Sequence, residues 1–245
     1  MRSQLIDYIL HLADNSLILG QRNGEWCGHG PILEQDIAIT NITLDLVGQA
    51  RSFYQYAAQL KADGSTEDAL AYLRTEREFN NCLLVEQPNG DWAQTLLRQF
   101  LFSAYQYYLY QYLQNISDST IAAIAEKSLK EVSYHVRWSS EWVIRMGDGT
   151  EESHNRMQKA VDELWRYTGE MFIPAPYEKE LDIDVASLKY DWSKKVKEVM
   201  DEAVLTIPSG VWMQEGGKKG IHTEHLGFIL SELQYLQRAY PNAAW

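Results

Sequence analysis

The chain has 245 residues, 45% hydrophobic and 12% aromatic, with 8 Trp and 15 Tyr. A chain of this size buries roughly 70–75% of the surface its unfolded form exposes, so it needs neither disulfides nor a structural metal to fold. Its 22 Lys and Arg against 34 Asp and Glu give a formal charge of −12, which opposes binding to a phosphate backbone through a general field and argues against nucleic acid as a partner.

Asp7, His11, Asp14 and Asn15 interrupt the apolar residues of the first twenty, which rules out the core of a signal peptide. No run reaches the ~18–20 apolar residues of a membrane span. Cys27 and Cys82 are too few for a disulfide framework and too far apart for a close metal pair, which points to a reduced, cytoplasmic protein. Leu5, Ile6, Ile9, Leu12 and Ala13 then predict a first helix from Ser3 to about Leu19, with Gly20 as its stop.

Gly28, Gly30 and Pro31 form a turn, and the proline-free stretch from Ile32 to about Leu60 predicts one long helix. Ile32, Ile39, Ile42, Leu46, Ala50, Phe53 and Ala57 share its apolar face, and Glu34, Asn41, Asp45, Gln49 and Ser52 share a polar stripe flanked by Ile37 and Leu44. That stripe reads either as a buried polar site or as a solvated face. Residues 63–66 cap a third helix carrying Leu70, Leu73, Glu76, Phe79, Asn80 and Leu83, which residues 88–91 close. Trp92 to Leu113 is apolar or aromatic on nearly every side, the pattern of a central helix. Asp118 caps a helix that runs to Met146 and stops at Gly147. Met157, Val161, Leu164, Trp165, Thr168 and Phe172 predict a sixth helix, ended by Pro174. Residues 173–184 are a proline-containing connector and a weak boundary within what otherwise reads as one domain over 1–245. Leu188 to Ala203 predicts a seventh helix and Leu226 to Leu236 an eighth, with a glycine-rich loop from Pro208 to Gly220 between them. The fold class is all-α.

Glu131 and His135 stand four apart, one turn on a single helix face. They fit either a satisfied structural pair or part of a bundle-core metal site. In di-iron carboxylate bundles, two helices each give a Glu and two others each give Glu-x-x-His. The acids here fall in suitable order, Asp45, then Glu76 or Glu78, then Glu131, then Asp162 or Glu163, but the accompanying ligands do not follow. Asn81 stands three after Glu78, Trp165 three after Asp162 and Arg166 three after Glu163. Asn is a poor iron ligand, Trp none, and Arg brings a positive charge to a dication's place. Asp45, Glu76, Glu78, Asn81, Glu131, His135 and Glu163 therefore read as the positions of a degenerate metal site. The loop carries Lys218 and Lys219 among glycines, with His222 and His225 at the start of the last helix. These four read as an anion or partner loop, or as plain solvated residues. Phosphate-loop, dinucleotide and nucleophile-elbow motifs are absent.

Four stretches in order, LADNSLILGQRNGEWCGHGPILEQDIAITNITLDLVGQAR, NCLLVEQPNGDWA, KEVSYHVRW and GGKKGIHTEHLG, resemble the PaaC family of the bacterial phenylacetyl-CoA epoxidases. The resemblance runs from about residue 8 to Trp245. It implies a ferritin-like helical bundle and a structural rather than catalytic role, with no cofactor in this chain. The family works in a hetero-oligomer in which a homologous PaaA-like subunit holds the di-iron centre and substrate, and a separate reductase supplies electrons. Two alternatives stay open on the residues alone: a free-standing di-iron oxygenase built on Asp45, Glu76, Glu131 and His135, and a metal-free enzyme using Glu131 and His135 as acid and base.

Overall fold

A computed structural model of the protein describes residues 2–241 and 243. The fold is all-α, as its composition and spacing predict, with no strand among the described residues. In chain order the helices are α1 (Arg2–Gly24), α2 (Leu33–Lys61), α3 (Glu67–Tyr72), α4 (Leu83–Glu86), α5 (Trp92–Leu113), α6 (Ser119–Gly147), α7 (Glu151–Leu164), α8 (Pro176–Glu180), α9 (Leu188–Glu202), α10 (Glu224–Leu233) and α11 (Tyr235–Ala239). They group into two compact units. One comprises Met1–Pro88, Ala175–Asp182 and Gly216–Trp245, and the other comprises Asn89–Pro174 and Ile183–Glu215.

The first unit is built on the antiparallel hairpin α1–α2. The turn between them is held by Asp36, whose carboxylate accepts hydrogen bonds from the backbone N–H groups of Gly28 at 3.2 Å and Gly30 at 2.8 Å. Those two bonds hold the Asp36 carboxyl below its usual range. Gly20 does not end α1, which continues to Gly24. A Cβ at Gly20 would already lie 3.3 Å from the Cβ of Leu46, so this glycine lets two helices approach closely. On α2, Ile39, Ile42, Leu46, Ala50, Phe53 and Ala57 are buried as expected. Ile32 is not, and Ile37 and Leu44 are exposed beside the polar stripe. Within that stripe Gln49 is buried, Asp45 is half-buried and Glu34 and Asn41 face solvent.

The predicted third helix is broken. Its residues form α3, a single 3-10 turn (Glu76–Glu78), an extended stretch and the one-turn α4. Thr66 caps α3 by accepting from the Ala69 N–H at 3.1 Å. The break has a specific cause, because backbone groups of residues 80–82 bond to side chains of α1 and leave the helical ladder.

The second unit is built on α5 and α6. Asp91 caps α5 through the Gln94 N–H, and Asp118 caps α6 through the N–H groups of Thr120 and Ile121, both at 3.0 Å. α5 is buried along almost its whole length, in keeping with its all-round apolar sequence. Trp192 of α9 packs on Phe172 and donates its indole N–H to the Leu101 carbonyl at 2.9 Å. α7 ends at Leu164 in two 3-10 turns, Trp165–Tyr167 and Gly169–Phe172. The predicted eighth helix is likewise divided, into α10 and α11, at Gln234, whose side chain turns inward to donate to the Ala71 and Arg74 carbonyls.

Candidate functional site

The first unit holds a buried polar cluster. On α1, His11, Asp14 and Asn15 fall at spacings of three and four, so they share one face, and all three are buried. Asp14 is the hub. Its carboxylate pairs with the Arg74 guanidinium. It also accepts the Tyr54 hydroxyl at 2.6 Å and the Asn80 N–H at 2.8 Å. Arg74 donates in addition to the Glu78 carbonyl at 2.7 Å and lies over the Phe79 ring, 4.1 Å from its centre. Burial opposes its charge, and Asp14 more than restores it. Desolvation, with Asp14 alongside, pushes the Tyr54 hydroxyl well above its ordinary value, so Tyr54 stays a donor. Asn15 accepts from the Cys82 N–H at 2.8 Å. Asp14, Asn15 and His11 thus hold residues 80–82 extended against α1.

His11 Nδ1 lies 2.6 Å from the Asn80 carbonyl, a geometry that requires the proton on that nitrogen. Burial, reinforced by the nearby Lys218 charge, drives its pKa down to about 3. His11 is therefore neutral, and its 3.9 Å approach to Glu178 is a contact rather than an ion pair. The partner of Glu178 is Lys218, whose ammonium stands 2.6 Å away with both side chains buried. The Ala175 N–H also donates to Glu178 at 2.7 Å. Burial still raises the Glu178 carboxyl against the pull of Lys218.

Glu86 closes the cluster. One of its oxygens accepts from Asn81 and from His222 Nδ1, each at 2.8 Å. The other accepts the N–H and hydroxyl of Thr223, at 2.7 and 2.8 Å, and so caps α10. His222 Nε2 lies 2.9 Å from the Phe79 carbonyl, so both ring nitrogens face acceptors and the imidazolium form is favoured. Burial opposes that charge, but Glu86 and the Phe79 carbonyl outweigh it and the His222 pKa is raised. Chemically, this arrangement is a clamp that ties α1, residues 74–86, α8 and the 216–223 loop together. Its acids and bases already bond to one another, so it is poorly disposed to act on a substrate.

Glu76 and Glu78 are exposed, and Glu78 accepts from the Thr75 N–H and hydroxyl at 2.7 Å. Asn81 is buried and donates to Glu86. On α6, His135 is buried and Glu131 half-buried, while Asp162 and Glu163 of α7 are exposed, Glu163 3.7 Å from Lys159. Among the described residues, no three His, Cys, Asp or Glu side chains gather as a metal would require. This donor set does not fit a di-iron centre. In the loop, Lys219 is exposed and His225 half-buried, whereas Lys218 and His222 are drawn into the cluster, which corrects the expectation of a plain solvated loop. Tyr54, Arg74, Glu86 and Glu178 were not expected as site residues, and Asp14 and Asn15 entered only as breaks in the apolar N-terminal stretch. For His11, Asp14 and Asn15 the signal is polar spacing of three and four inside the otherwise apolar α1; Arg74, Glu86 and Glu178 lie in a loop or in helices of one turn and carry no such signal.

No helix among the described residues is long and apolar enough to cross a membrane. The family model described as phenylacetic acid catabolic protein matches residues 1–245. The C component of the 1,2-phenylacetyl-CoA epoxidase of Escherichia coli (strain K12) is 47% identical over 248 residues, covering 99% of this chain and 100% of that protein. A match of this extent in both comparisons assigns the chain: it belongs to the phenylacetic acid catabolic protein family.

Proposed function

We propose that this chain is the structural subunit of a cytoplasmic, multicomponent oxygenase that epoxidises phenylacetyl-CoA. In this reading it pairs with a homologous helical subunit that carries the di-iron centre, and a reductase supplies the electrons. The chain itself holds no iron and performs no chemical step. Its likeness to the Escherichia coli epoxidase component supports the assignment to the complex.

The observation that carries the pairing is an uncovered apolar seam on α2. Leu33 is 70% exposed, Ile37 51%, Leu44 65% and Val47 42%. They recur at spacings of four, seven and three residues, the heptad spacing by which one helix seats another. Such a seam is costly to leave in water and is the mark of a protein interface. Glu34 and Asp45 flank it, so the complementary helix carries an apolar face edged with Lys or Arg.

The test is co-expression of this chain with the catalytic subunit, followed by affinity purification and size exclusion. The double variant Ile37→Glu, Leu44→Glu should weaken the complex by about a hundredfold or more, because charges are buried at the centre of an apolar contact. The melting curve of the chain alone should stay unchanged, since both residues are exposed. Wild-type protein that remains a monomer beside its partner, or a variant that pairs as wild type does, contradicts the proposal.

A further inference from the structure

Within the first unit an open cleft of about 680 Å³ lies among α1, residues 61–80, the start of α8 and the glycine loop. That volume falls within the range of small-ligand sites. Its wall gathers Lys61, Arg74, Arg77, Lys218 and Lys219, against Asp7 and Glu78, on a chain whose total charge is −12.

Three of these cations already have counter-ions. Arg74 is held by Asp14, Lys218 by Glu178, and Lys61 by Asp63 at 3.2 Å. Arg77 and Lys219 are different, because both are exposed and neither makes an ion pair among the described residues. Gly220 adopts a φ of 72° and packs directly against the Arg77 carbonyl, with no room for a Cβ, so the backbone next to Lys219 is held against the backbone of Arg77, and both residues line the same cleft. Two cations without counter-ions on the wall of one cleft give it a local positive potential that attracts an anion. An Arg fork next to a Lys point charge is the usual recognition pair for phosphate oxygens. On the wall, burial raises the Asp7 carboxyl, and Glu78 is turned to Thr75.

We propose that this cleft binds the phosphate groups of an organic ligand through Arg77 and Lys219, with Lys61 as a third positive wall. Identifying that ligand as the nucleotide end of a coenzyme A thioester rests on the proposed function. The phosphate site itself does not.

The test is calorimetric titration of the full chain, without partner, using coenzyme A, adenosine 3′,5′-bisphosphate and inorganic pyrophosphate as probes. The variant Arg77→Gln, Lys219→Gln, whose two residues are exposed, should retain the wild-type melting curve and bind coenzyme A at least about tenfold more weakly. Tighter binding of coenzyme A and the bisphosphate than of pyrophosphate supports the nucleotide source. Pyrophosphate bound as tightly as coenzyme A supports the phosphate site and overturns the nucleotide assignment. No heat with any probe, or equal affinity in wild type and variant, overturns the site. Because the titration involves no partner, its failure leaves the pairing on α2 untouched, and loss of pairing leaves the cleft untouched.

Discussion

Asp14 shows what a single buried carboxylate does in this protein. It supplies the counter-ion for Arg74, the acceptor for Tyr54 and the acceptor for a backbone N–H of the extended stretch. Asp14→Asn leaves the guanidinium buried and unpaired, and should cost roughly 3–5 kcal/mol in urea denaturation; an unchanged midpoint would contradict the clamp. The two clamp histidines bias stability in opposite pH directions. His222 has a folded pKa raised above its ordinary 6.5, so its contribution is fully present below pH 6.5 and is lost as pH rises through the folded value. His11 has a folded pKa near 3 against an ordinary 6.5. Below pH 6.5 the unfolded chain takes a proton that the folded one refuses, so stability falls by up to about 1.4 kcal/mol per pH unit down to about pH 3. Melting profiles should therefore show His222→Gln removing part of the alkaline decline and His11→Gln removing part of the acid decline. Variants that reproduce the wild-type profile on both sides would refute these assignments.

At the scale of elements, the long helices were legible because α1, α2 and α6 repeat apolar residues at three and four, α5 is apolar nearly all round, and Asp91 and Asp118 cap α5 and α6. Residues 73–82 were not legible, since what unwinds them is Asp14 and Asn15, some 66 and 67 positions away in the chain. Local propensity cannot register a competing hydrogen-bond partner at that distance. The early stop placed at Gly20 failed for a related reason, because only the neighbouring helix shows that this glycine serves close packing. Glycines in the two settings should respond differently to substitution. Gly220→Ala must adopt a positive φ and displace the Arg77 carbonyl, and should cost about 1–3 kcal/mol. Gly48→Ala has nothing within 4 Å of the new methyl on an exposed helical turn, and should stabilise the chain alone by roughly 0.5–1 kcal/mol. Equal thermal shifts for the two would overturn this reading of the glycine loop.

For the whole molecule, composition and periodicity were enough for the all-α class, and the four matching stretches were enough for the family. The candidate site was legible only in part. Lys218 and His222 stood out because they share a short, unusual loop. Their acids did not, because Glu86 lies 136 residues before His222 and Glu178 lies on the separate short helix α8. The exposed seam of α2 was legible only as Ile37 and Leu44 flanking the polar stripe; that these two join Leu33 and Val47 in one uncovered row shows only in the structure. The uncovered seam and the scattered acids are the two observations on which the proposed structural role rests. Iron content tests that account most directly, measured per chain on aerobically purified protein, alone and co-expressed with the catalytic subunit. The account predicts an iron-free chain alone and a complex whose iron follows the partner's share. Iron bound by this chain alone would contradict it.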